Sequence, residues 1–146
     1  MQIKTARTIL RPWSRSDAPA FAALHADSEV MADMGGPLSE RQSLQKMDRY
    51  AEAFGQLGFC RWAVVDVDGN FIGYAGAMPI PAHYPIAPGF EVGWRFVRRA
   101  WGKGLASEAA AAALRDVFAR TDLAEVLSYT APDNARSRAV MRRLRL

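Results

Sequence analysis

Two glycines one residue apart, Gly102 and Gly104, stand between a β-rich stretch and an alanine-rich one, with Arg98, Arg99 and Lys103 around them. Phe90 to Val97 carries aromatic and β-branched residues, and Ala109 to Ala113 is as strong a helix former as proteins use. A strand therefore turns into a helix at the glycines. Glycine lets backbone N–H groups approach a ligand without Cβ interference, and the first helical turn adds unpaired N–H groups and the positive end of its dipole. This is an anion cradle suited to phosphate. The same glycines would serve a plain strand-to-helix turn, but the three cations favour phosphate.

Three glycine-loop chemistries compete for that phosphate. A nucleotide-hydrolysing loop needs Lys-Ser/Thr after its last glycine, and Leu105 follows Gly104 here. A dinucleotide fingerprint wants glycine where Ser107 stands and an acid at the end of the next strand. Glu125 is about the right distance on, yet it precedes its strand. The pyrophosphate arm of coenzyme A is left.

Arg99-Ala100-Trp101-Gly102-Lys103-Gly104 resembles the Arg/Gln-x-x-Gly-x-Gly/Ala signature of the GCN5-related N-acetyltransferases, the GNAT family. The longer run from Trp101 to Ala109 resembles the branch that acetylates ribosomal-protein N-termini, together with its small-molecule relatives. The resemblance covers nearly the whole chain and is strongest from Phe90 to Leu144. It implies an α/β (α+β) acyl-CoA N-acyltransferase fold, a mixed central sheet flanked by helices. It also implies acetyl-CoA as donor, an amine as acceptor (a protein N-terminus or a small molecule) and direct transfer between them.

By the same resemblance, Glu91 in Glu91-Val92-Gly93-Trp94 matches a strand glutamate that acts through water as a base on the acceptor ammonium. Asn134-Ala135-Arg136-Ser137 matches Asn-x-x-Ser, so Ser137 would donate a hydrogen bond to the coenzyme sulfur. Asn134 would hold the pantetheine, cap the last helix, or do both. Many relatives carry a tyrosine acid where this chain has Met141, which raises the weight on Ser137. The resemblance assigns cofactor contacts to Phe96 and Val97 at the strand end and to Arg99, Gly102, Lys103, Gly104, Leu105, Ala106 and Ser107 in the cradle, mainly through backbone N–H groups. Such chemistry is mostly positioning, and side chains need supply only proton transfer.

These groups need a scaffold. Ile3 to Trp13 reads as a first strand, and Ser16 and Asp17 as caps of a helix that carries Phe21, Leu24 and Ser28 and ends at Val30 or Met31. Ser39-Glu40-Arg41-Gln42 is a capping box, and Leu44, Met47, Ala51 and Phe54 recur at helical spacing. Phe59 to Val67 and Phe71 to Met78 flank Asp68-Gly69-Asn70, a hairpin turn. Four prolines between Pro79 and Pro88 exclude regular structure. A fourth strand from Phe90 to Val97, a helix from Leu105 to Thr121, a fifth strand from Glu125 to Ala131 and a helix from Asn134 to Leu144 complete the chain. Alternation of strand and helix makes the fourth and fifth strands parallel neighbours.

At 146 residues, half of them hydrophobic, the chain is long enough for a single domain that buries roughly two-thirds of its unfolded surface. No run of about 18 apolar residues or secretory h-region is present, and the cytoplasm is the expected location. Cys60 is the single cysteine and reads as a core residue; no Cys/His cluster has metal-ligand spacing. The net charge of +4 attracts a polyanionic cofactor, while no basic run interleaved with aromatics points to nucleic acid. Where the family continues Leu-Gly-Phe and adds two closing strands, this chain reads Leu144-Arg145-Leu146. The closing strands are expected to be missing, either because the chain is a truncated version of a longer relative or because another molecule supplies them, and the open edge is one through which the chain is expected to self-associate. That loss keeps a catalytically impaired coenzyme-binding module as the alternative.

Overall fold

The computed structural model describes residues 1–146. Five strands, β1 (Ile3–Lys4), β2 (Thr8–Arg11), β3 (Arg61–Asp66), β4 (Phe71–Pro79) and β5 (Phe90–Phe96), form one sheet in sequential order. Helices α1 (Ala18–Ala26) and α2 (Glu40–Leu57) precede β3, and α3 (Leu105–Arg120) and α4 (Ala135–Leu144) follow β5. Every registered pair of strands is antiparallel, so the expected mixed sheet is corrected. Parallel pairing survives only as an isolated bridge between Glu91 and Leu127.

The stretch expected as a fifth strand, Glu125 to Ala131, contributes no more than that bridge. Leu127 N–H donates to the Phe90 carbonyl (2.8 Å) and its carbonyl accepts from Val92 N–H (2.8 Å). The residues are β-formers, but no ladder forms on their other side, and beyond Leu127 the chain diverges from β5.

The first strand is likewise two pieces. Thr5 N–H bonds the Thr8 carbonyl (2.9 Å), folding Ile3 and Lys4 back onto Leu10 and Ile9. Glu108, in the first turn of α3, organises that turn: one carboxylate oxygen accepts from Thr5 Oγ1 (2.5 Å) and Arg7 N–H (2.8 Å), the other from Arg7 Nε (2.9 Å).

α2 begins as its capping box predicts, with reciprocal bonds between Ser39 and Gln42. Its inward face is Ser43, Met47 and Tyr50; Ala51 points to solvent, because two residues that score as polar occupy the buried stripe. α1 starts from Asp17, one of the two expected caps, whose side chain instead closes a capping box with Ser14 around the preceding 3-10 turn Arg15–Asp17. It stops at Asp27, whose side chain accepts from the N–H groups of Glu29 (3.0 Å) and Val30 (3.4 Å) and so offers the backbone an alternative to helix.

The sheet separates two cores. On one face Trp62, Val64, Ile72 and Phe96 meet the small residues Ala109, Ala112 and Ala113, which let α3 lie close to the strands. On the other, Phe21, Leu24, Met47, Tyr50 and Tyr74 pack α1 and α2 down. Cys60 lies fully buried in this second core, where burial pushes its thiol pKa up. No helix is long and apolar enough to cross a membrane.

Candidate active site

The strand-to-helix turn behaves as its glycines require. Gly102 and Gly104 hold φ of 73° and 77°, left-handed values that side-chain-bearing residues avoid. None of the backbone N–H groups from Gly102 to Ser107 donates to another backbone group; the first bond into α3 comes from Glu108 N–H to the Gly104 carbonyl (3.0 Å). Six consecutive donors therefore stand at the positive end of a 16-residue helix. The turn is braced from behind, where Arg7 Nη1 donates to the Lys103 carbonyl (2.8 Å).

These donors open into a cleft walled by β5, the start of α3 and one side of α4. Strand alternation gives β5 a second set of free groups. Val92 N–H faces Leu127, so the N–H groups of Trp94 and Phe96 point the same way, and past the divergence they meet no backbone partner. The Phe96 carbonyl on that edge is taken by Trp101 Nε1 (2.9 Å). Arg136 lies over the Trp101 ring at 3.5 Å from its centroid, and Arg143 Nη1 bonds Ser107 Oγ (3.3 Å), so α4 lends two cations to the cleft.

A second cleft lies where β5, α2, the 80–89 loop and the segment after Leu127 converge. Glu91 lines it. Its carboxylate accepts from Arg61 Nη2 at 2.5 Å and from the Tyr129 hydroxyl. Arg61 is almost fully buried and also donates to the carbonyls of Gly76 and Glu91. Its guanidinium lies over Gly93, where an added Cβ would be 2.6 Å from Nη2. Burial first, and then the Glu91 carboxylate, raise the Tyr129 hydroxyl pKa above its ordinary value. The two clefts meet at Trp94, Arg95, Asp33 and Ser137, which line both.

The sequence profile described as Acetyltransferase (GNAT) domain matches residues 7–146. The chain belongs to the GNAT acetyltransferase family. A curated relative from Aspergillus fumigatus, FsC-acetyl coenzyme A-N(2)-transacetylase, is 32% identical over 146 residues. That match covers 95% of this GNAT chain and 62% of the relative, less than two thirds of its length. A crystal structure of an acetyltransferase from Agrobacterium tumefaciens superposes with a TM-score of 0.86 at 28% identity, over 99% of this chain and 82% of that one. RimL, a ribosomal-protein α-N-acetyltransferase crystallised with coenzyme A, gives 0.79 at 16% identity, over 99% and 82%. At that identity the likeness speaks for the fold alone.

Within this GNAT domain, Phe96, Gly102, Gly104, Leu105, Ala106, Ser107, Asn134 and Ser137 line the first cleft, and Glu91 and Ser137 the second. Asn134 Oδ1 caps α4 by accepting from Ser137 N–H (3.2 Å). Two of the expected contact residues do not line the first cleft. Val97 turns toward the groove beside α1, its N–H bonded to the Ile72 carbonyl (2.9 Å), and Arg99 reaches the Phe71 carbonyl (3.0 Å) in the opposite direction. A turn of 3-10 helix at Arg98–Ala100 rotates both away from the first cleft. The Lys103 side chain is also outside it, although its N–H belongs to the donor row.

Several site residues give little local signal. Arg61 could have been found as the one charge inside the apolar run from Phe59 to Val65. Arg95 pairs with Asp33 at 2.8 Å and the Val30 carbonyl at 2.7 Å, tying the segment after α1 to the sheet. Burial is the largest single influence and opposes the Arg95 charge, but the Asp33 hydrogen bond and charge together with Tyr74 outweigh it and hold its pKa above the ordinary value. Beneath the second cleft His25 is fully buried, with Nδ1 2.9 Å from the Phe21 carbonyl and Nε2 3.1 Å from the Tyr74 hydroxyl. Burial lowers its pKa to about 4. The unfolded chain then protonates first, so His25 favours the fold fully above about pH 6.5 and loses that contribution progressively as pH falls toward 4. Thermal unfolding across this window is expected to show the fall, and His25→Gln to flatten it; an equal slope in both proteins would exclude His25 as the cause.

Proposed function

We propose that this chain is a single N-acetyltransferase domain that moves an acetyl group from acetyl-CoA directly to an amine. One observation carries the reading: the unpaired donors from Gly102 to Ser107 and along the free edge of β5 share a cleft, and this cleft joins a second one that contains a carboxylate. The donor set fits coenzyme A chemically. Backbone N–H groups at a helix start, with Lys103, Arg136 and Arg143 nearby, suit a pyrophosphate, and the free edge of β5 suits an amide-bearing arm. Acetyl-CoA supplies the activated acyl group as a thioester.

The chain's own residues then have separable tasks. The Trp94 and Phe96 N–H groups present donors to oxygen where negative charge develops. Glu91 takes a proton from the acceptor ammonium through water, with Arg61 and Tyr129 holding its carboxylate in place. Ser137, where the clefts meet, places a hydroxyl donor at the point of transfer. A buried, high-pKa Cys60 gives no thiolate, which supports direct transfer rather than an acyl-enzyme.

Thiol release from acetyl-CoA across a panel of primary amines tests the reading. Turnover above the hydrolysis background is expected; coenzyme binding without turnover would favour the coenzyme-binding module. Ser137→Ala, which removes one hydrogen bond, is expected to lower kcat about tenfold, and unchanged turnover would remove Ser137 from the mechanism.

The run from Trp101 to Ala109 supports the ribosomal-protein branch, with a protein N-terminus or a small amine as acceptor. The lone cysteine and the lack of an apolar helical span support a cytoplasmic location. Leu127 and Tyr129 are exposed beside the divergent edge, which supports self-association there. Light scattering is expected to give more than a monomer at high concentration, and a monomer throughout would count against it.

A further inference from the structure

Six ionic side chains line the second cleft: Asp33 and Glu91 against Lys46, Arg49, Arg61 and Arg95. The carboxylates are already committed, Glu91 to Arg61 (2.5 Å) and Asp33 to Arg95 (2.8 Å). Lys46 and Arg49, three residues apart on α2 and so on one helical face, take part in none of the protein's salt bridges. Lys46 is half-buried, with its ammonium 5.9 Å from the Tyr50 ring centroid, so it is not a freely solvated surface charge. The cleft thus keeps two uncompensated positive charges on the wall formed by α2, while the proton acceptor stands on β5.

A simple alkylammonium entering such a cleft meets net repulsion. A molecule that brings a negative group of its own meets attraction at α2, and its amine is left for Glu91. Resting on the acetyl-transfer reading above, we propose that the acceptor is a small amine carrying an anionic group, a carboxylate or a phosphate, which Lys46 and Arg49 bind. The anion subsite and the carboxylate base line one cleft, so both ends of the acceptor are held within it. Acidic side chains further along a polypeptide would fall outside it. The excess positive charge also favours loss of the acceptor's ammonium proton, which transfer requires.

The test compares β-alanine, phosphoethanolamine, β-alaninamide and ethylenediamine as acceptors, with thiol release as the readout. The better of the two anionic amines is expected to exceed the neutral amide and the diamine by about tenfold in kcat/KM, mainly through KM; which anion wins distinguishes carboxylate from phosphate. Combining Lys46→Glu with Arg49→Glu is expected to invert the order toward ethylenediamine. Wild-type protein that prefers the amide or the diamine, or an order that survives the charge reversal, would overturn the proposal. An acidic peptide turned over faster than every small amine would also overturn it. If no amine releases thiol, acetyl transfer itself fails, and the anion subsite is judged separately by tryptophan fluorescence with coenzyme A present, since Trp94 lines the cleft. Binding of β-alanine or phosphoethanolamine in preference to β-alaninamide, lost on charge reversal, keeps the subsite; equal binding of all three sinks it.

Discussion

Gly104→Val is expected to weaken coenzyme A binding at least about a hundredfold, while Lys103→Ala weakens it no more than about fivefold. At φ of 77° an L-residue is strained by roughly 1–2 kcal/mol, and a β-branched one by more. The space beside Gly104 is not the obstacle, since a Cβ there would meet Arg7 Nη2 at an ordinary contact distance of 3.5 Å. Relaxing this strain rotates the peptide planes around Gly104 and Leu105, and donors that converge on one cleft no longer do so. Each hydrogen bond to a charged ligand contributes about 1.5–3 kcal/mol, so losing two suffices for the stated factor. Lys103, whose side chain is outside the cleft, adds only a screened charge. Calorimetric titration of coenzyme A into both variants makes the comparison, with thermal unfolding to check that each is folded. Small and equal effects would contradict recognition by the backbone.

The second large effect belongs to Glu91→Gln, for which turnover is expected to fall at least about a hundredfold at every pH. Glutamine keeps the shape and a hydrogen bond toward Arg61 but cannot take a proton. It also leaves the Arg61 guanidinium buried without its counter-ion, and breaking a buried pair costs up to about 3–5 kcal/mol. Lost activity could therefore come from lost structure. Pairing Glu91→Gln with Arg61→Met removes the stranded charge, so stability should return while turnover stays low. If turnover returned with stability, Glu91 would be a structural partner of Arg61 and not the base. If Glu91→Gln alone kept its rate across the pH range, the base would lie elsewhere.

What could be read from the residues divides by the range of the interactions involved. The start of α2 is local, set by Ser39 and Gln42 three residues apart, and it forms as expected. The cradle is local as well. Glycines at 102 and 104 followed by a strong helix former dictate a left-handed turn and a row of free donors, whatever else the chain does. Direction is harder to read where it depends on one residue of twist. Val97 and Arg99 flank the same turn as the glycines, and a short 3-10 segment sends both away from the cleft. The segment around Leu127 has strand-forming residues, but a ladder needs a partner, and β5 provides one only as far as Val92. Arg61, 30 residues from Glu91, and His25, 49 from Tyr74, acquire their roles only through the packed sheet.

The brace between Arg7, Lys103 and Glu108 bears on when the cradle comes into being. Its contacts join residues 96 to 103 positions apart, so the glycine turn receives its rear support only after the chain has been made as far as Glu108 and the first seven residues have returned to it. Closing so long a loop is a late event in folding, since the entropy of closure is lost before its contacts form. A nascent chain would thus acquire its helices and central hairpins before it acquired affinity for a pyrophosphate. A ligand that binds only the assembled cradle would then hold the first residues against the start of α3 and stabilise the finished protein by mass action.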